Sequence, residues 1–448
     1  MGLLTLSRRF GYGAWHQHYE VLGLGQAMIC KQCFASKSHT VGCGQETRKR
    51  INVSRWTTVV VFVTAQSDRV DIKSAPSHSF DLNNIRHRTI NNVHLATPAQ
   101  RHTGKARPTA IHQQSQIGNM TNIEKGDIVL VTGVSGYIGS HVAEQLIVAG
   151  YKVRGTSRTS LKAQWLVDYL DKKFGSGKID IVEVPDMVQD GAYDAAVVGV
   201  SGIVHLASVL TFSTDPEEVV GPSVRGTLNL FKSATTEPKV KSLVFTSSST
   251  ACLLPVPNTK IKITKDTFND IAVEAAYRPN ASPFDVYAAS KTASERALWD
   301  AVKNTSPPFQ VSAVLPDANF GSLLKQNDSS TGSWIVDFYN GQDYLFDLPP
   351  QWFVDVTDNA KLHVAALIDP ACDGQRIFAF AQPYNWNDIL AIFRMLKPNG
   401  SFLEDRAQGR NLSEVPNSDA EKLLEKHYSH GWTSLEDSIR QNIGPLLA

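Results

Sequence analysis

Between Asp127 and Leu146 the chain reads DIVLVTGVSGYIGSHVAEQL, an apolar strand that runs into three glycines and then into an amphipathic helix. No other stretch restricts the fold as much. Ile128 to Val131 is an unbroken β-branched and aliphatic run, the pattern of a strand buried on both faces of a parallel sheet. Gly133 lets the chain turn tightly, Gly136 lets backbone approach a pyrophosphate with no Cβ in the way, and Gly139 lets the helix pack close to the strand. Phosphates then sit over the helix N-terminus, where free N–H groups and the dipole favour negative charge. Thr132, Tyr137 and Ile138 complete the expected cradle. A Gly-rich turn alone is a weak signal, but here strand, spacing and helix agree, so the stretch reads as a dinucleotide site.

The chain has 448 residues and a net charge of +1, distributed unevenly. Residues 1–119 carry 15 Lys plus Arg against 5 Asp plus Glu and hold 8 of the 13 His. They lack a sustained helical or alternating apolar pattern. Their one short apolar run, Val59 to Val63, is too short to span a bilayer. The expectation is a basic extension that is disordered or outside the working protein, with Met120 as the natural start. Five Cys in this length and no hydrophobic signal region point to a reducing compartment, the cytoplasm. The Arg-bearing, acid-free opening MGLLTLSRRFGYG supports mitochondrial targeting only weakly. Cys30, Cys33, His39 and Cys43 resemble a zinc knuckle but miss its spacing by a residue on each side of the His, so no metal is expected. The basic charge is diffuse and not interleaved with aromatics, which argues against nucleic-acid binding.

From Met120 onward strands and helices alternate. Strands are expected at Tyr151 to Arg158, Ile179 to Val184, Gly202 to Ala207, Ser242 to Thr246 and Gln310 to Leu315, with a helix near Leu161 to Leu170. This pattern gives an α/β fold, a doubly wound parallel sheet of the Rossmann type with its ligand crevice at the carboxyl ends of the strands. The core is expected mainly over 126–316. The more irregular and aromatic residues 317–448 are expected to form a smaller substrate-binding lobe.

The end of the second strand of this domain selects the dinucleotide. An NAD site offers an acid there for the ribose 2′-hydroxyl, yet no Asp or Glu lies between Glu144 and Asp168. Arg158 takes that place, and Lys162 follows one helical turn later, so two cations converge on a 2′-phosphate and NADP(H) is expected. Asp186 is placed to accept a hydrogen bond from the adenine amine, with Met187 against the ring.

The chemistry is expected from Ser248, Tyr287 and Lys291. Val244-Phe-Thr-Ser-Ser-Ser249 ends a strand in hydroxyls, and Tyr287-Ala-Ala-Ser-Lys291 places a phenol and an ammonium on one helix face. A nearby ammonium stabilises phenolate, so Tyr287 would exchange a proton with a carbonyl or alcohol oxygen while Ser248 holds that oxygen. A Tyr-x-x-x-Lys pair alone carries little weight. The Ser-bearing strand and the nucleotide turn before it make it specific.

On these residues the chain resembles an extended short-chain dehydrogenase/reductase. More narrowly, it is similar to fungal NADPH-dependent aldehyde and ketone reductases related to plant dihydroflavonol reductases. The resemblance rests on TGVSGYIGSHV, GYKVRGTSR, GAYD at Gly191, HLASV at His205 (which includes Ala207), VRGTLN at Val224, VFTSSS, YAASK, AVLPDANFG at Ala313, FVDVTDNAKLHVAAL at Phe353 and GWTSLEDSI at Gly431. It covers about three quarters of the chain and leaves out residues 1–119. It implies a seven-stranded sheet, the triad Ser248, Tyr287 and Lys291, 2′-phosphate contacts from Arg158 and Lys162, and hydride transfer from the nicotinamide C4 to a carbonyl carbon. Pro316 falls where relatives pack chain against the nicotinamide. Asp317 departs from the family pattern, where Asn often follows that proline.

The substrate is less legible. Phe212, Leu348 and Gln351, with Trp334, Phe338 and Tyr339, are candidates for an apolar wall suited to aromatic or medium-chain carbonyl compounds. Two alternatives share the scaffold: a nucleotide-sugar epimerase or dehydratase, disfavoured by the missing ribose acid, and a non-catalytic dinucleotide sensor, disfavoured by the intact triad. A monomer or homodimer is expected, with no membrane partner.

Overall fold

The computed structural model describes residues 123–325 and 330–447, together with the backbone of three strands nearer the N-terminus. The chain divides into two units, Met1–Pro108 and Thr109–Ala448. In the first, β1 (His18–Glu20), β2 (Ala27–Cys33) and β3 (Trp56–Phe62) form an antiparallel sheet in that order. No strand is expected there from the sequence pattern, although β3 is built on Thr57 to Val61, all β-branched. Of the candidate zinc ligands, His39 and Cys43 lie outside the described residues, as do the side chains of Cys30 and Cys33. Met120 and the transit-peptide stretch lie outside them too. Among the described residues no cluster of His, Cys, Asp or Glu is arranged to hold a metal.

The second unit alternates strand and helix: β4 (Ile128–Thr132), α1 (Tyr137–Val148), β5 (Lys152–Ser157), α2 (Ser160–Phe174), β6 (Ile179–Glu183), α3 (Asp194–Val197), β7 (Gly202–His205), α4 (Pro216–Thr236), β8 (Ser242–Thr246), α5 (Asp270–Ala275), α6 (Pro283–Thr305) and β9 (Gln310–Pro316). It continues with β10 (Ala318–Phe320), α7 (Thr331–Tyr339), β11 (Gln351–Asp355), α8 (Val356–Ile368), β12 (Arg376–Ala379), β13 (Gln382–Tyr384), α9 (Trp386–Leu396), α10 (Ser418–Tyr428) and α11 (Leu435–Leu447). Seven strands form one sheet in the order β12-β9-β8-β7-β4-β5-β6, parallel throughout. This is the doubly wound fold expected from the alternation.

The apolar run of β4 explains why the sheet has two covered faces. Val129 and Val131 enter one core with residues of α1, α2 and α8, whereas Leu130 enters the other with Ile203, Leu243 and residues of α4. Alternate side chains point to opposite faces, so both parities must be apolar. The chain beyond Pro316 does not stay in the lobe: α8 packs on α1, and β12 pairs with β9 as the edge strand. The lobe proper is a small sheet, β10-β11-β13, whose aromatic core joins Phe320, Phe338, Phe353, Tyr384, Trp386 and Phe393. Its first strand follows β9 after one residue, so the carboxyl end of β9 and the lobe are continuous in the chain.

Candidate active site

The glycine turn lies between β4 and α1. Gly133 has φ +65, and a Cβ there would stand 3.1 Å from the Ala207 nitrogen, so the loop leaving β7 presses directly on it. A Cβ on Gly139 would collide with the Gly133 carbonyl oxygen. At Gly136 an added Cβ would meet only the Gly133 oxygen, at 3.4 Å, so that side of the turn is open. No side chain caps α1 and no acid lies in its first turn. Uncapped leading amides beside a backbone cradle fit a pyrophosphate. Ile138 is half-buried against the core, and Tyr137 is buried with its hydroxyl donating to the Gly321 carbonyl at 3.1 Å. Thr132 is fully buried, and its hydroxyl accepts from the amides of Leu206 and Ala207, each at 3.0 Å, while meeting His205 Nδ1 at 2.7 Å. Burial, with Lys291 nearby, pushes His205 down to about 3, so its imidazole is neutral. Thr132 therefore ties the exits of β4 and β7 together behind the cradle.

Arg158 follows β5 directly and is exposed; Lys162 is exposed in the first turn of α2. Neither enters an ion pair among the described residues. An acid not foreseen from the sequence stands nearby: β5–β6 pairing sets Glu183 beside Ser157, and its carboxylate accepts the Ser160 amide at 2.6 Å. That backbone hydrogen bond holds its carboxyl below the usual range. Asp186 is exposed and accepts from the Val188 amide at 2.9 Å, closing a local turn. Met187 is turned towards α4, where a Cβ on Gly226 would meet its Cγ at 2.9 Å.

The three chemistry-bearing residues converge at the carboxyl end of β8. Helix α6 starts with Pro283 after a capping box of Ser282 and Asp285, which fixes the rotation that sets Tyr287 and Lys291 on its inner face. Ser248 hydrogen-bonds the Tyr287 hydroxyl and accepts from the amide and hydroxyl of Thr250, at 3.2 and 3.0 Å. Lys291 is buried, and its Nζ donates to the Thr246 carbonyl at 3.1 Å. Burial lowers Lys291 to about 8, opposed by Glu295. One expectation is overturned: Tyr287 is not shifted towards neutrality. Burial pushes its hydroxyl up, Asp317 adds to this, and only the Ser248 hydrogen bond works the other way. The ammonium donates to the Thr246 carbonyl, and no lowering of Tyr287 by Lys291 offsets the burial.

Phe212 lies at the mouth of the site. It is 51% exposed, holds a left-handed backbone (φ 51), stacks on Tyr287 at 5.9 Å between centroids and meets Phe284 edge-on at 6.1 Å. Leu348 packs on the lobe core, and Gln351 opens β11, paired with Tyr384. Pro316 is buried in β9. The expected apolar wall of Trp334, Phe338 and Tyr339 is instead lobe core. Phe338 is fully buried edge-on to Trp386 at 5.1 Å, and Tyr339 packs on Phe393, because α7 turns its apolar stripe inwards.

The pattern of the NAD-dependent epimerase/dehydratase family matches residues 129–378. The chain belongs to that family. Among curated proteins it is 37% identical over 332 residues to aldehyde reductase 2 of Sporidiobolus salmonicolor, covering 72% of this chain and 96% of that protein. It is also 37% identical over 334 residues to the ketoreductase adrE of Penicillium rubens, 72% and 97% of the two chains. Among solved structures, the NADPH complex of Gre2 from Candida albicans superposes with a TM-score of 0.63 at 25% identity, covering 72% of this chain and 98% of that one. No helix among the described residues is long and apolar enough to cross a membrane.

Proposed function

We propose that this chain reduces an aldehyde or ketone to the alcohol with NADPH, using Tyr287 as proton donor. Relatives named aldehyde reductase, ketoreductase and NADPH-dependent methylglyoxal reductase, and a solved relative in complex with NADPH, support an NADP-dependent oxidoreductase acting on carbonyl compounds. The observation that carries the reading is the meeting of Ser248, Tyr287 and Lys291 at the same carboxyl end of the sheet as the open glycine turn. When bound, NADPH supplies a hydride from C4 of its nicotinamide to the carbonyl carbon. Backbone amides at the head of α1, with Gly133, Gly136 and Gly139, would hold the pyrophosphate, and Arg158 and Lys162 the 2′-phosphate. Ser248 fixes the substrate oxygen by hydrogen bond. Tyr287 delivers its proton to that oxygen, and its raised affinity for the proton keeps the donor loaded at neutral pH. Lys291, one turn along α6, would hold the nicotinamide ribose. Exposed Phe212 on Tyr287 favours aromatic or medium-chain substrates, with Leu348 and Gln351 on the lobe side.

All the residues invoked lie in 120–448, so residues 1–119 take no part in this reading. The test is cofactor oxidation by the full chain, with NADPH and NADH, against aromatic aldehydes, aliphatic aldehydes and β-keto esters. The expected result is turnover with NADPH well above that with NADH. Binding of NADPH without reduction of any of these compounds would overturn the reading, and a preference for NADH would overturn the role of Arg158.

A further inference from the structure

Three residues, each one turn after the last along α6, reach three consecutive residues where β8 leaves the sheet. Tyr287 is hydrogen-bonded to Ser248, Lys291 donates to the Thr246 carbonyl at 3.1 Å, and Glu295 accepts from the Ser247 hydroxyl at 2.6 Å. The spacing 287, 291, 295 is that of a single helix stripe. Tyr287 and Lys291 carry chemistry in the reading above. Glu295 is fully buried and closed to a substrate, so whatever it does it does through its neighbours.

Both carboxylate oxygens of Glu295 are engaged twice. Oε1 accepts from Arg376 Nε at 2.6 Å and from the Trp299 indole at 3.1 Å; Oε2 accepts from Ser247 and, at 3.1 Å, from a terminal nitrogen of Arg376. Arg376 is held in its turn. It donates to the carbonyls of Lys265 and Thr267 at 2.9 and 2.7 Å and to Cys252 Sγ at 3.5 Å, and its backbone stands on β12 opposite Ala313 of β9. Ser247 is still fixed to the sheet, because its amide donates to the Val314 carbonyl of β9 at 2.8 Å. Glu295 therefore ties α6 to both strands that flank β9, namely β8 and β12. A carboxylate with four fixed donors has one place to sit, and the helix that carries it has one position along the sheet. Tyr287 rides on that helix, whereas its partner Ser248 rides on β8. A shift of about 1 Å between reacting groups can cost on the order of a hundredfold in rate. We propose that Glu295, anchored by Arg376, is a positioning residue for carbonyl reduction: by holding the Ser247 hydroxyl it sets α6 on the sheet so that Tyr287 and Ser248 meet at one substrate oxygen. This rests on the reductase reading above.

The experiment measures kcat for an aromatic aldehyde at saturating NADPH, and NADPH affinity by fluorescence titration, in the full-length protein and its variants, well below every thermal midpoint. Ser247→Ala deletes the hydroxyl and leaves the Arg376–Glu295 pair in place. Arg376→Met/Glu295→Leu removes both charges together, so neither is left unpaired, and with them the acceptor for Ser247. In each, kcat is expected to fall about tenfold while NADPH affinity stays within about twofold of wild type. Adding Ser247→Ala to the double variant should cost little further rate, because both changes break the same contact. A merely structural role would leave kcat unchanged in whatever remains folded, and Ser247→Ala keeps the test open should the double variant fail to fold. A kcat within about twofold of wild type in either variant, a loss carried by NADPH affinity instead, or additive losses on combining them overturns the proposal and leaves the reductase intact. A wild type that reduces no carbonyl compound overturns the reductase reading and this proposal together.

Discussion

Arg376→Met should be among the most destabilising single changes in the second unit. Arg376 on β12 and Glu295 on α6 form a two-pronged pair, Nε to Oε1 at 2.6 Å and a terminal nitrogen to Oε2 at 3.1 Å, with side chains 6% and 0% exposed. The guanidinium also donates to the carbonyls of Lys265 and Thr267 and lies 4.1 Å over the Phe268 ring. Glu295 accepts from Ser247 at 2.6 Å and Trp299 at 3.1 Å. Methionine fills the space but strands the carboxylate away from water with two donors left, a change that costs about 3–5 kcal/mol when one partner of a buried pair is removed. At about 2 °C per kcal/mol for a large domain, the midpoint of thermal unfolding should fall by roughly 6–10 °C. The assay is thermal unfolding followed by circular dichroism. In Arg376→Met/Glu295→Leu both charges are gone, and at least half of the loss should return. A single variant within about 1 kcal/mol of wild type, or a double variant no better than the single, would refute the reasoning.

Three further outcomes are expected. Arg158→Ala should raise KM for NADPH about tenfold or more while leaving KM for NADH nearly unchanged, since only the former offers a phosphate to a charge-assisted hydrogen bond; equal effects on both would count against it. Gly139→Ala drives a methyl into the Gly133 carbonyl oxygen and should weaken NADPH binding about tenfold or more by opening the turn, with circular dichroism reporting a retained fold; unchanged binding would contradict the packing account. For Asp369, burial alone would raise the carboxyl, but Lys426 at 2.6 Å and His427 at 3.0 Å bring it down to about 2. Because its folded value is depressed, its contribution is complete above the unfolded value and is lost as pH falls towards 2. The stability margin of wild type over Asp369→Asn, from urea titrations, should therefore be constant above about pH 5 and shrink below about pH 4; a margin that grew on acidification would reverse the sign.

Local chemistry was what made the fold legible. The apolar run of β4 encodes a doubly buried strand in both of its parities, and the glycines encode the turn through what a Cβ would strike. Strands β7, β8 and β9 are likewise buried along their length, β5 and edge strand β6 only in part, and the expected positions of all five match to within two residues or so. Edge strand β12 escaped notice because Arg376-Ile-Phe-Ala379 carries a charge whose partner, Glu295, is 81 residues away. The aromatics of α7 look alike whether they line a pocket or fill a lobe, and only tertiary packing decides. Within the site, spacing brought Tyr287 and Lys291 to one helix face, but Glu183 on the Ser160 amide and Asp317 on Ser249 join residues far apart in the chain. The TSSST run from Thr246 was the one available signal, since each of its members has a separate partner: Thr246 Lys291 and His363, Ser247 Glu295, Ser248 Tyr287, Ser249 Asp317, and Thr250 Asn269.

The most direct test of the central claim is single-turnover reduction of an aromatic aldehyde, comparing NADPH with NADPH deuterated at C4, in wild type and Tyr287→Phe. The account predicts deuterium in the alcohol at the former carbonyl carbon, a wild-type rate that slows with the label, and a fall of about a hundredfold or more in the variant with NADPH affinity retained. A variant that reduces the aldehyde at the wild-type rate would contradict it, as would an alcohol without the label.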